Sequence, residues 1–221
     1  MIRRLVAEFA GSALLAAVVI GSGIAASRLS PSDVGLQLLE NALATALGLA
    51  VLIAVFVTVS GAHFNPVVSL VEAALGGRPW REVLAYIPVQ IAGCLAGAIL
   101  ANLMFDEPAV SLSSTDRLTA AHFLAEVVAT AGLVLVIFAL ARTNRAAVIP
   151  WAVGAYIGAA YFFTSSTSFA NPAITIGRTI TETFAGIAPS SAPGFIAAQL
   201  VGGAIGFMAV RWLFPARVPV A

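Results

Sequence analysis

Ser60-Gly61-Ala62-His63-Phe64-Asn65-Pro66-Val67 closes the second apolar stretch of this 221-residue chain, and a shorter echo, Asn171-Pro172-Ala173, follows the fifth. The two Asn-Pro pairs lie 106 positions apart, at 65 and 171. In each, Asn reads as an N-cap and Pro as the first helical residue. Each follows a long apolar segment through small, mostly polar residues, Ser60 to Phe64 in one case and Ser165 to Ala170 in the other. Two helix starts in so apolar a chain predict two half-helices whose positive ends point at something polar inside a membrane.

Composition sets the class. The chain is 60% hydrophobic and 10% charged, with a mean hydropathy of +1.01. A soluble domain carries roughly a quarter charged residues. All 11 basic residues are Arg, and a net charge of +1 gives no reason to expect nucleic acid. The 19 Gly favour close helix packing in lipid. The single Cys94 lies in an apolar run, so no disulfide framework is available within one chain. The apolar runs are about twenty residues long and lack period-two alternation, which argues against strands. No Ser-His-Asp, metal or phosphate-binding constellation is visible, and Gly21-x-Gly23 lacks a strand–helix context, so an enzyme is not expected.

Six spans are expected, at 4–26, 36–59, 84–105, 119–141, 146–166 and 193–214. Each is near the ~20 residues that cross a bilayer as helix. With an inside N-terminus, the inside segments hold Arg3, Arg4, Arg78, Arg81, Arg142, Arg145, Arg211 and Arg217, against Arg28, Arg117 and Arg178 outside. That bias predicts cytoplasmic termini.

The two halves of the chain resemble each other. Glu8 and Glu126 lie early in spans one and four, Asn65 and Asn171 follow spans two and five, and Gln90 and Gln199 sit in spans three and six. Three spans per copy is odd, so the second copy is inverted, and inverted repeats place their site at the midplane between discontinuous helices. Residues 66–76 and 172–184 make only about 16–20 Å of helix each, half the hydrocarbon thickness. The fold class is therefore an all-α membrane protein with six transmembrane helices plus two re-entrant half-helices. It forms one domain over 1–221, with inverted repeats at about 1–115 and 116–221. Each half-helix N-terminus carries roughly +0.5 charge, and the Asn65 and Asn171 amides can cap a helix while presenting N–H groups to a lumen. Glu8 and Glu126 are costly at membrane depth. They are expected to accept hydrogen bonds from exposed backbone in the re-entrant loops. His63 has no second ligand at metal spacing, so it reads as a hydrogen-bonded loop residue and no metal site is expected. Tyr156, Tyr161, Phe162 and Phe163 are expected to face lipid or neighbouring subunits.

These residues together resemble the aquaporin, or major intrinsic protein, family over essentially the whole chain. The resemblance rests on Ser60 to Val67 with Asn65-Pro66-Val67, on Asn171-Pro172-Ala173, on Glu8 and Glu126, and on Gln90 and Gln199. It implies passive, bidirectional passage of water or small uncharged solutes, one pore per subunit, a homotetramer in a bacterial inner membrane, and no cofactor. It also implies a selectivity constriction. Water-selective members usually carry Arg just after the second Asn-Pro-Ala; here that residue is Ile174. Counting back from the motifs without gaps adds Thr45, Ala159 and Ser168. None of this quartet is a large aromatic or charged, so a wide, weakly polar constriction is expected. Arg178 lies one turn on, about 6 Å along the axis. It serves either a displaced constriction or an ion pair outside the pore with Glu182; the second is the favoured reading.

Ile174-Thr175-Ile176 resembles the bacterial aquaglyceroporin subgroup associated with arsenic resistance, which implies passage of polyols, neutral metalloid acids or methylated arsenicals. Three other readings stay open: a water-selective channel, an ion-coupled transporter built on broken helices, and a membrane protein with a vestigial pore.

Overall fold

The computed structural model describes residues 1–215; Arg217, counted above on the inner side, lies outside them. In chain order the helices are α1 (Ile2–Leu29), α2 (Val34–Ser60), α3 (Pro66–Ala74), α4 (Trp80–Met104), α5 (Ala120–Arg142), α6 (Ile149–Phe163), α7 (Pro172–Gly177) and α8 (Ala192–Leu213). A 3₁₀ turn at Ala146–Val148 leads into α6. With that turn, α1, α2, α4, α5, α6 and α8 are long and apolar enough to cross a membrane. Six crossings put Met1 and the end of α8 on one face, called here the near face. The exposed Trp80, Trp151 and Trp212 stand at helix ends on that face, as interfacial tryptophans do.

Helix ends follow local chemistry. The Asp33 carboxylate accepts the Leu36 amide at the start of α2, and Thr119 accepts the His122 amide at the start of α5. Gly61 ends α2 at φ 93°, a left-handed cap that suits glycine. The half-helices are unequal. The first ends at Ala74, near its expected limit. The second stops at Gly177, far short of 184, and a 3₁₀ turn at Arg178–Ile180 follows. The carbonyls of Thr179 and Ile180 accept the Ser113 and Ser111 amides, which draws the chain out of the helix and into extended pairing with the loop after α4.

Glycines set the bundle. A Cβ at Gly93 or Gly97 of α4 would stand 2.4 or 2.0 Å from the Phe9 or Ala13 carbonyl oxygen of α1. In the second half, a Cβ at Gly202 of α8 would stand 2.4 Å from the Val127 carbonyl oxygen of α5. The same small-residue contact thus seats α4 on α1 and α8 on α5. Backbone cannot yield as a side chain can, so Gly97→Val is expected to cost about 1–3 kcal/mol or more. Melting in detergent should show this as a clear loss of thermal stability and yield; unchanged melting would mean that α1 and α4 can separate freely.

Candidate functional site

The loops between α2 and α3, and between α6 and α7, enter the bundle from opposite faces. Each is held by one carboxylate from a neighbouring helix. Glu8 Oε1 accepts the Ser60 hydroxyl at 2.6 Å and the His63 amide at 3.0 Å; Oε2 accepts the Phe64 amide and Gln90 Nε2, both at 2.8 Å. Glu126 repeats this with the Ser166 hydroxyl at 2.7 Å, the Phe169 and Ala170 amides at 2.9 Å, and Gln199 Nε2 at 2.7 Å. Both carboxylates are fully buried. Four donors each offset a desolvation that an unpaired carboxylate could not bear. The loops need that grip. Ala62, Phe64, Ser168 and Ala170 all take φ between 46° and 52°, a region unfavourable to side chains with a Cβ.

The asparagines meet at the centre. Asn65 Oδ1 caps α3 by accepting the Val67 amide, and Asn171 Oδ1 caps α7 by accepting those of Ala173 and Ile174. Asn65 Nδ2 donates to the Ala170 carbonyl, and Asn171 Nδ2 to the Phe64 carbonyl, each at 2.7 Å. Each side chain therefore fixes its own helix start and ties its loop to the opposite one. Pro66, Val67, Pro172 and Ala173 are buried in these first turns.

One cavity of about 240 Å³ passes both asparagines and reaches Glu72 on the near side and Arg178 on the far side. Its walls are stripes at helical spacing. Thr45, Leu49, Ile53 and Val57 come from α2; Val153, Ile157 and Tyr161 come from α6. Leu15 and Val19 of α1 face Leu133 and Ile137 of α5. The near half of the lumen is thus almost wholly aliphatic. The polar groups concentrate at the asparagines and the two mouths.

At the far mouth the geometry departs from the expected quartet. Thr45, Ser168 and Ile174 are buried and line the cavity. Ala159 does not: it lies on the exposed side of α6. The gap-free count fails because the chain leaves helical geometry after Phe163 and passes through Thr167, Ser168 and Ala170 at positive φ. The lumen position on α6 is Tyr161, expected to face lipid. Its hydroxyl lies 3.1 Å from Thr45 Oγ1. Arg178 does not pair with Glu182, whose carboxylate instead accepts the Ser114 amide and hydroxyl. Arg178 is 4% exposed; its guanidinium lies over the Phe169 ring with Cζ 3.4 Å from the centroid and donates Nε–H to the Ala185 carbonyl. Ile174 and Arg178 therefore share the lumen with two aromatic rings. A mouth free of aromatic and charged groups is not what the residues form.

The far mouth is roofed by the loop after α4. Arg117 donates to the Gly186 and Phe184 carbonyls, with Cζ 5.8 Å from the centre of the Phe169 ring. Burial lowers its guanidinium from the usual value. Beside it, the Ser191 hydroxyl and the Leu118 amide hold the Asp116 carboxyl below the ordinary carboxylate range.

The near mouth holds His63 and Glu72, which the motif reading did not connect. His63 Nε2 lies 2.5 Å from Glu72 Oε2, and Nδ1 lies 2.8 Å from Ser69 Oγ. A carboxylate only accepts, so Nε2 carries a proton. Glu72, Tyr161 and Phe169 were legible in principle. Tyr161 continues the i, i+4 series from Val153 and Ile157. Phe169 and Arg178 stand 106 positions after His63 and Glu72, as Asn171 does after Asn65.

Residues 1–168 match the family described as Major intrinsic protein. The chain is 50% identical over 216 residues to aquaglyceroporin AqpS of Rhizobium meliloti (strain 1021), covering 97% of this chain and 92% of that protein. It is 34% identical over 197 residues to a glycerol uptake facilitator protein of Streptococcus pneumoniae (strain ATCC BAA-255 / R6), covering 81% and 83%. Among solved structures, the X-ray structure of the aquaglyceroporin from Plasmodium falciparum superposes with a TM-score of 0.71, at 21% identity over 95% of each chain, and shares the fold. The chain belongs to the major intrinsic protein family.

Proposed function

We propose that this protein is a passive channel for water and small uncharged solutes of glycerol size. What supports the reading most is the cavity that runs past both asparagine amides between the two mouths. Names given to relatives, an aquaglyceroporin and a glycerol uptake facilitator, agree with it. The carboxylates argue against ion coupling. Glu8 and Glu126 each hold four donors. Glu72 already faces His63 and Arg78. None is an idle midplane group waiting for a proton or a cation.

The selective constriction lies at the far mouth, among Thr45, Tyr161, Ser168, Phe169, Ile174 and Arg178. Ile174 leaves room where an arginine would fill the lumen, and Arg178 supplies a guanidinium one turn on. A solute passing there meets hydroxyls and N–H donors on one side and apolar surface on the other. That suits polyols, neutral metalloid acids and methylated arsenicals. In the near half, aliphatic walls give polar solutes few partners and no deep binding well.

The chain works in a bacterial inner membrane as a homotetramer of separate pores, with the near face cytoplasmic. Arg3, Arg4, Arg78, Arg81, Arg142, Arg145 and Arg211 stand on that side. Arg178 is inside the lumen, so only Arg28 and Arg117 remain in far-side segments among the described residues.

Stopped-flow light scattering on proteoliposomes tests this with water, glycerol, urea and a larger polyol. Glycerol and water should pass well above empty liposomes, without saturation and without dependence on proton or sodium gradients. Saturable, gradient-driven uptake would make the protein a transporter. Water flux alone would make it a water channel, and no flux would make the pore vestigial.

A further inference from the structure

Matched at the 106-residue offset, the half-helices pair Asn65 with Asn171, Val68 with Ile174, Ser69 with Thr175 and Glu72 with Arg178. Three residues after each asparagine the lumen side chain is apolar. One turn further it is charged, with opposite sign at the two mouths, and all four of these side chains line the one cavity.

The charge on the surface of this path is unbalanced, because the Glu8 and Glu126 carboxylates stand behind their loops, each turned to four donors, and do not line the cavity. Arg178 is buried in the far mouth, with Arg117 behind the same phenyl ring. At the midplane, α3 presents its N-terminus, worth roughly +0.5 charge, and the amides of Asn65 and Asn171 add N–H donors. The aliphatic walls screen these fields poorly. Such a lumen rejects cations but favours small anions, since buried donors and positive charge are what bind them. A channel of that kind in a bacterial membrane would leak chloride down the membrane potential.

Glu72 is the acidic side chain that lines the cavity among the described residues. Its Oε2 faces His63 Nε2 and accepts Arg78 Nε–H at 2.9 Å, and among the described residues no protein donor reaches Oε1. Arg78 is not among the residues that line the cavity: it also donates to Glu82 at 3.0 Å and to the Tyr86 hydroxyl at 3.2 Å, while Arg4 holds Glu82 at 2.7 Å. Glu72 lines the path, and the cation that pairs with it does not.

We propose that Glu72 is the anion barrier of this pore, a fixed carboxylate at the near mouth that excludes the small inorganic anions its positive far half would otherwise admit. This rests on the passive-channel reading. The two mouths then act as complementary filters, Arg178 against cations and Glu72 against anions, and only uncharged solutes pass both.

The test is Glu72→Gln, which keeps an oxygen for His63 and Arg78 but removes the charge. Chloride, nitrate and potassium currents are measured in planar bilayers, with glycerol flux in proteoliposomes as the neutral control. Nitrate and chloride conductance should rise at least about tenfold, equivalent to about 1.4 kcal/mol at the barrier, with glycerol flux little changed. In a potassium chloride gradient the reversal potential should move towards that of chloride. Adding Arg178→Leu should lower the anion current again. A Glu72→Gln protein that passes glycerol but stays as anion-tight as its parent would overturn the proposal. Absence of glycerol and water flux in the parent as well would overturn the channel reading, and the proposal with it. If the single variant does not fold, Glu72→Gln with Arg78→Met removes the cation left unpaired, and the same outcomes apply.

Discussion

Glu126→Ala should yield no folded protein. The substitution removes the shared acceptor of four buried donor groups: the Ser166 hydroxyl, the Phe169 and Ala170 amides, and one of the two N–H groups of Gln199 Nε2, whose other stays on Thr175 Oγ1 at 2.9 Å. Each buried donor left without a partner costs about 1–3 kcal/mol. Four such losses rival a whole stability of about 5–15 kcal/mol. The loop is also the part least able to hold itself, because Thr167, Ser168 and Ala170 keep positive φ values that the captured amides stabilise. Glu126→Gln should fall between, since one of its two oxygens becomes a donor facing donors. Yield, size-exclusion profile and thermal melting in detergent read this directly. A well-folded, permeable Glu126→Ala protein would mean that the second loop is held by other contacts.

The second large effect is expected at Ile174. Ile174→Arg should cut glycerol flux by about tenfold or more, the consequence of at least about 1.4 kcal/mol added at the barrier. Ile174 is 3% exposed and faces the lumen one turn before Arg178. A guanidinium there would fill the space beside Tyr161 and Phe169 and stand close to the charge of Arg178. Water is smaller and should lose less. Stopped-flow rates for water, glycerol and urea separate the two effects. Equal losses for all three would point to a damaged fold, and no loss would move the constriction elsewhere.

The parts of this molecule that could be read from sequence share a physical property: each is a polar residue in a segment that otherwise excludes polarity. Asn65, Asn171, Glu8, Glu126, Gln90 and Gln199 stand out for that reason, and their pairing across the chain gives away the inverted topology. The six spans were legible from length and hydropathy, with ends off by a few residues where caps such as Asp33 and Thr119 decide them. The far mouth was harder because its residues come from a segment with no regular period. Between Phe163 and Asn171 neither a helical nor an extended count applies, so Ala159 was reached where Tyr161 stands. Arg178 was misplaced for a related reason. Its i, i+4 relation to Glu182 assumes a helix that ends at Gly177, and Glu182 is taken by a loop more than sixty residues earlier in the chain.

The crossed amide bonds at the centre bear on how such a chain is made. Asn65 needs the carbonyl of Ala170, and Asn171 needs that of Phe64. When the ribosome has delivered the first three spans, the first loop still lacks its counterpart, which emerges more than a hundred residues later. The nascent protein must carry an unfinished middle while about half of its length is made. It closes only when the last third of the chain enters the bilayer, so maturation of the pore is a late, all-at-once event and no half can complete it alone.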